Sequence, residues 1–170
     1  DKNKNSPCFE TADYKAVIDG RDIESLIAFT LLNKEKLNIC GVFTFTELVT
    51  SVSAVSEAAN LPGVPVAQSV ICQNKELCKK IWLKNKISTP KGTIVKTLHK
   101  ALSFFESIEN EIFIKPVVGF GGVNSQKISS EKELVNYFEF LIDSDEDILK
   151  TGLVVEEFIE GSMHDINGLF

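Results

Sequence analysis

Apolar positions in this chain recur at two spacings. Ile23, Leu26, Ile27 and Leu31 return every three or four residues, which predicts a helix over 22–36 with Asp22 placed to cap it. Leu48, Val52, Val55 and Ala59 step by four, three and four along a second helix, ended by Leu61-Pro62-Gly63. Residues 15–18 form a short β-type run, and residues 39–45 form a strand-length apolar stretch that predicts a buried strand. Strand, helix, strand, helix with short joins predicts a small parallel α/β layer over residues 1–73.

A different order begins at Asn74, which is placed to cap a helix through Leu77, Ile81 and Trp82 to about residue 86 before Ser88-Thr89-Pro90 breaks it. The pattern then predicts a strand at 92–95, a helix at 98–108 and a strand at 112–115. A glycine loop, a strand at 123–128, a helix at 130–141 and a strand at 153–156 follow. Leu134, Phe138 and Leu141 give the 130–141 helix its apolar stripe, and Ser130 with Glu133 has the form of a capping box. The expectation is α+β, with hairpin pairing around the glycines.

Composition narrows the function classes. The 170 residues are 44% hydrophobic and 25% charged, within the globular range. A formal net charge of -6 argues against binding duplex nucleic acid, which needs a basic face. No apolar run approaches the roughly 20 residues of a membrane span. The opening DKNKNSP has no apolar signal core and reads as a solvated arm or a cut edge. Cys8, Cys40, Cys72 and Cys78 form no CxxC pair, and His99 and His164 stand far apart, so no zinc site is legible. Cys40 is expected in the core, and reduced thiols in a cytoplasm fit best. Lys75, Lys79, Lys80, Lys84 and Lys86 share one expected helix and are read mainly as a solvated face, with Lys75 the exception.

The most informative stretch is Ile112-Phe113-Ile114-Lys115-Pro116, followed by Val117-Val118-Gly119-Phe120-Gly121-Gly122-Val123. Glycines admit positive φ and remove Cβ atoms, so backbone N–H groups can converge on an anion while the preceding lysine supplies charge. A plain tight hairpin uses the same glycines. No Lys-Ser/Thr follows the loop as in a P-loop, and Asn124 stands where GxGxxG needs its last glycine. A lysine before the loop and strand on both sides point to a flap over phosphates. About thirty residues later, Leu153-Val154-Val155-Glu156-Glu157-Phe158-Ile159-Glu160-Gly161 leads from an apolar strand into an acidic, aromatic segment. Such a strand end can present backbone groups to a purine edge and apolar side chains to its face, or be a solvated connection.

Together, Lys75 ahead of Ser88-Thr89-Pro90, Ile114-Lys115-Pro116, the Gly119 to Val123 loop and Val155 to Gly161 resemble the ATP-grasp superfamily over nearly the whole chain. The resemblance is strongest to the branch with biotin carboxylase, carbamoyl phosphate synthetase and the amino-acid ligases. Gly41 to Glu47 and Leu61-Pro62-Gly63 resemble the preATP-grasp domain of that branch. The implied organisation is a partial preATP-grasp α/β domain at 1–73, a connecting helix at 74–90, the α+β lid subdomain at 91–157, and the start of the second ATP-grasp half at 158–170.

The resemblance also implies residue roles. Lys75 and Lys115 face ATP phosphates, and Gly119, Phe120, Gly121, Gly122 and Val123 form the lid loop. Glu156 reaches the adenine amino group, Glu157, Phe158 and Ile159 flank the base, and His164 stands where a ribose-binding carboxylate is common. The implied cofactors are ATP and Mg2+, with the magnesium ligands and the remaining catalytic strands expected beyond Phe170, so the chain as given is expected not to catalyse ligation. The implied chemistry joins a small-molecule carboxylate to an amine, or to a thiol, through an acyl phosphate, with a homodimer among the options. Rival readings are a non-catalytic ATP-binding or regulatory module and a purely structural α/β domain.

Overall fold

Leu153 to Glu157 has apolar residues at consecutive positions, as a strand covered on both faces requires. In the computed structural model, which describes residues 1–108, 111–144, 146–162 and 164, this run is one of the two inner strands of an antiparallel sheet. The chain divides into two compact units, Asp1–Gln73 and Asn74–Phe170.

The second unit opens with α5 (Lys75–Lys84), whose Asn74 side chain accepts from the Leu77 N–H at 3.0 Å. It continues with β1 (Gly92–Val95), α6 (Leu98–Glu106), β2 (Ile112–Pro116) and β3 (Gln126–Ile128), then α7 (Glu131–Ser144), α8 (Glu146–Thr151) and β4 (Leu153–Glu157). The strand order is β1-β4-β2-β3, every neighbour antiparallel, with Ile114 opposite Val155 and Ile112 opposite Ile128. Alternation sends Ile112, Ile114, Leu153 and Val155 to one face, where they pack with Ala101 of α6 and Leu134, Phe138 and Leu141 of α7. The other face carries Phe113, Lys115, Val154 and Glu156.

The expected strand at 123–128 is shorter because two turns consume its start. The Val123 N–H donates to the Phe120 carbonyl at 3.2 Å, the Ser125 N–H to that of Gly122 at 3.0 Å, and Asn124 has φ +54°. The capping box is displaced by one residue. The Glu133 N–H donates to Ser130 Oγ at 3.3 Å, but the Glu133 carboxylate accepts from the Ser129 N–H at 2.8 Å.

The first unit contains α1 (Cys8–Thr11), α2 (Ile23–Leu37), α3 (Val49–Ala58) and α4 (Val66–Gln73). Asp22 caps α2, accepting from the Ser25 N–H at 3.0 Å. The expected parallel α/β layer is not formed: residues 15–18 and 39–45 make no strand. Backbone N–H and C=O groups need a neighbouring ladder, and at 44–46 they turn instead. Thr44 Oγ1 accepts from the Thr46 N–H at 3.1 Å, while Phe43 and Phe45 stand 76% and 96% exposed. Cys40, expected in the core, is exposed with them. Of the expected start of the second ATP-grasp half, residues 165–170 lie outside the described residues. No described helix is long and apolar enough to cross a membrane.

Candidate functional site

The first residue of α5 is stitched to the entrance of the glycine loop. The Lys75 N–H donates to the Val117 carbonyl at 2.9 Å, Asn74 bridges to Val118, and the Lys75 ammonium donates to the Gly119 carbonyl at 2.9 Å. Among the described residues no carboxylate pairs with Lys75. Its pKa is held below the ordinary 10.5, first by burial and then by the positive charge of Lys115. Lys75 thus presents a positive charge at the positive end of a helix, an arrangement that favours an anion.

The loop itself is open. Gly121 and Gly122 have φ +62° and +72°, which side chains disfavour, and neither has any atom within 4 Å of where a Cβ would stand. Phe120 and Val123 are exposed at the tip. The exit is fixed by Tyr137, whose hydroxyl donates to the Asn124 carbonyl at 2.8 Å. Burial raises the Tyr137 phenol pKa, so it stays a donor.

Lys115 points across the sheet to the Glu156 carboxylate. Glu156 is buried, and its carboxylate also meets Lys79 of α5, with Nζ to Oε2 at 3.1 Å. Lys79 donates further to Thr89 Oγ1 at 3.2 Å and to the Pro90 carbonyl. Sequence reasoning placed Lys79 on a solvated face, yet it is buried at 7% exposure. The signal was its position one helical turn after Lys75, on the same side of α5.

Past β4, the N–H groups of Glu157 and Phe158 are taken by the carbonyls of Lys91 (2.8 Å) and Glu111 (2.9 Å). The Glu157 carboxylate accepts from the Lys91 N–H at 2.8 Å. Ile159 is exposed, and among the described residues none accepts from its N–H. Phe158 lies under Lys127, whose ammonium is 4.5 Å from the ring centroid and 2.5 Å from Glu111. Lys127 and Ser129 hold the Glu111 carboxyl below its ordinary pKa. Glu111, Phe158 and Ile159 line a cleft of about 670 Å³ with Phe105 and Ser129. His164 is exposed. The structure thus gathers Lys75, Lys115 and the loop at one end of β2 and residues 157–159 at the other, with Glu156 reaching back toward Lys115. Four steps of strand separate the ends by about 13 Å.

No family model and no curated protein matches the sequence. Solved structures do. The L-amino acid ligase from Bacillus licheniformis is 26% identical, with a TM-score of 0.61 over 83% of this chain and 32% of that one. The biotin carboxylase domain dimer of the Hydrogenobacter thermophilus 2-oxoglutarate carboxylase, in complex with MgADP, ADP and bicarbonate, aligns at a TM-score of 0.68. It is 17% identical over 89% of this chain and 36% of its own. This chain has an ATP-grasp fold. Phosphoribosylglycinamide synthetase from Anaerococcus prevotii extends the agreement at 19% identity and a TM-score of 0.57, over 94% of this chain and 38% of that one. The ATP-grasp chain described here spans roughly a third of the length of each of these enzymes.

Among the described residues of this ATP-grasp chain, no group of three or more His, Cys, Asp or Glu side chains could hold a metal ion. The Lys75–Lys115 end offers donors to a polyanion.

Proposed function

We propose that residues 74–159 bind ATP as part of an ATP-dependent ligase that activates a carboxylate for attack by an amine or thiol. The observation that carries this reading is the Lys75 ammonium on the Gly119 carbonyl, at the entrance of a glycine loop whose tip is open and which follows the strand that bears Lys115. Lys75, Lys115 and the N–H groups of the Gly119 to Val123 loop would receive the phosphates, with Phe120 and Val123 at the covering tip. Glu156, Glu157, Phe158 and Ile159 would serve the base, Ile159 through an N–H that no described residue accepts, and His164 the ribose side. Residues 74–90 act as the connecting helix, 91–157 as the lid subdomain, and 158–170 lead into the second half. The chemistry expected of bound ATP is phosphoryl transfer to a carboxylate, giving an acyl phosphate. The contribution of this chain is to hold phosphate charge, orient the nucleotide and exclude water when the loop closes.

The test is ATP affinity of the protein and its Lys115→Ala variant by titration calorimetry, followed by ADP release from the longest obtainable form of the protein with magnesium and a pool of amino acids. Loss of one charge-assisted contact should weaken ATP by about 10- to 100-fold, or ~1.5–3 kcal/mol. An unchanged affinity would remove Lys115 from the phosphate site. ADP release that requires the amino-acid pool supports the ligase, and tight binding without release favours a regulatory module.

A further inference from the structure

Lys79, Glu156 and Lys115 form a trio of two ammoniums on one carboxylate, and their environments differ. The side chains of Lys79 and Glu156 are each 9% exposed, whereas that of Lys115 is 26% exposed. Lys79 directs its three donors to three acceptors: Glu156 Oε2, Thr89 Oγ1 and the Pro90 carbonyl. An ammonium has three N–H groups, so Lys79 is saturated and fixed between α5, the 89–90 connection and β4. Lys115 has the Glu156 carboxylate and a distant contact with the Phe113 ring, 5.7 Å to its centroid. If one cation leaves the trio, it is Lys115.

A buried carboxylate that loses its sole cation is strongly disfavoured, while one that keeps a hydrogen-bonded cation is not. Building on the nucleotide reading above, we propose that Lys79 is a positioning residue: the resident counter-ion of Glu156, which allows Lys115 to leave that carboxylate for the phosphates of ATP. Lys79 itself does not touch the nucleotide. With Lys79 in place, the trio carries one positive charge in excess, and that excess is available at the loop. Without it, Glu156 and Lys115 become a closed pair, and ATP must break that pair to bind.

The experiment measures ATP binding by calorimetry to the wild type, Lys79→Met, Glu156→Gln and the double variant Lys79→Met/Glu156→Gln, each checked for folding by circular dichroism. Lys79→Met keeps the stem and removes the charge. It should weaken ATP by about 10- to 100-fold, the size of a lost charge-assisted contact. Adding Lys79→Met to Glu156→Gln should cost little further affinity, because a neutral amide at position 156 no longer retains Lys115. A purely structural Lys79 predicts the same loss in both backgrounds. Should Lys79→Met fold poorly, the decisive comparison is the double variant against Glu156→Gln, which should bind ATP equally well. Wild-type affinity in a folded Lys79→Met protein, or a double variant more than about tenfold weaker than Glu156→Gln, overturns the inference alone. No ATP binding by the wild type overturns the nucleotide reading and this inference with it.

Discussion

Lys75 carries its charge against its surroundings, and the sign of that effect can be tested. Its folded pKa lies below the ordinary 10.5 because burial and Lys115 disfavour the ammonium. Between the folded and unfolded values the unfolded chain binds more protons, so this group's contribution to stability rises with pH across that window. A phosphate beside it acts in the opposite direction, favouring the ammonium. ATP binding should therefore take up protons in alkaline solution and weaken as pH rises through the depressed pKa. Calorimetry in two buffers of different ionisation enthalpy reads the uptake, and Lys75→Gln should abolish it. The placement of Lys75 and Lys115 beside the loop was legible in the sequence because each adjoins a recognisable break, the Asn74 cap or the glycine loop. Lys79 was not legible: a lysine within a helix looks solvated unless its acceptors are known, and those lie in segments 10, 11 and 77 residues away.

Among the elements, the pairing of β1 with β4 rests on close backbone approach at Gly92. A Cβ there would stand 2.7 Å from both Glu156 Cβ and the Val155 carbonyl oxygen. The expected outcome of Gly92→Ala is a loss of about 1–3 kcal/mol by overpacking, read from urea unfolding. It should also disturb the Glu156 side chain, since Gly92 is its register partner. The strands of this sheet were readable because short apolar runs bounded by Gly, Pro or polar residues have few alternatives. The two extended runs at 15–18 and 39–45 had the same composition and made no strand, because strand formation depends on a neighbouring ladder that composition does not encode. The helix α4 was overlooked for a related reason: Ser69 is its sole buried residue, so it has no apolar stripe to announce it.

At the scale of the whole molecule, the two units differ in how they are held. In Asn74–Phe170, fully buried Ile112, Ile114, Ile128, Leu134, Leu141 and Leu153 make one continuous core. In Asp1–Gln73 the buried apolar residues are Val55 and Ala59, and the other buried positions are Ser and Thr, with Ser56 Oγ lacking a partner among the described residues. Local stability follows buried apolar contact, so amide exchange should be markedly faster in α2, whose one buried residue is Thr30, than in β2 or β4. Hydrogen exchange followed by mass spectrometry checks this, and equal protection would mean that the exposed apolar side chains of residues 31–45 are covered in solution. The division of labour is coherent with the candidate site, which lies wholly on the firmer unit.

The glycine loop is fastened at both ends, by Lys75 at Gly119 and by Tyr137 at Asn124, and is open between them. A strap buckled at two points cannot slide along its length; it can only swing about the line joining the buckles. Its tip, Phe120 to Val123, therefore travels on an arc fixed by the sheet edge and α7, and closing it requires rotation at a few glycines with no loss of strand pairing. The same geometry makes the tip a place where the chain can be lengthened or its side chains exchanged without disturbing the core beneath.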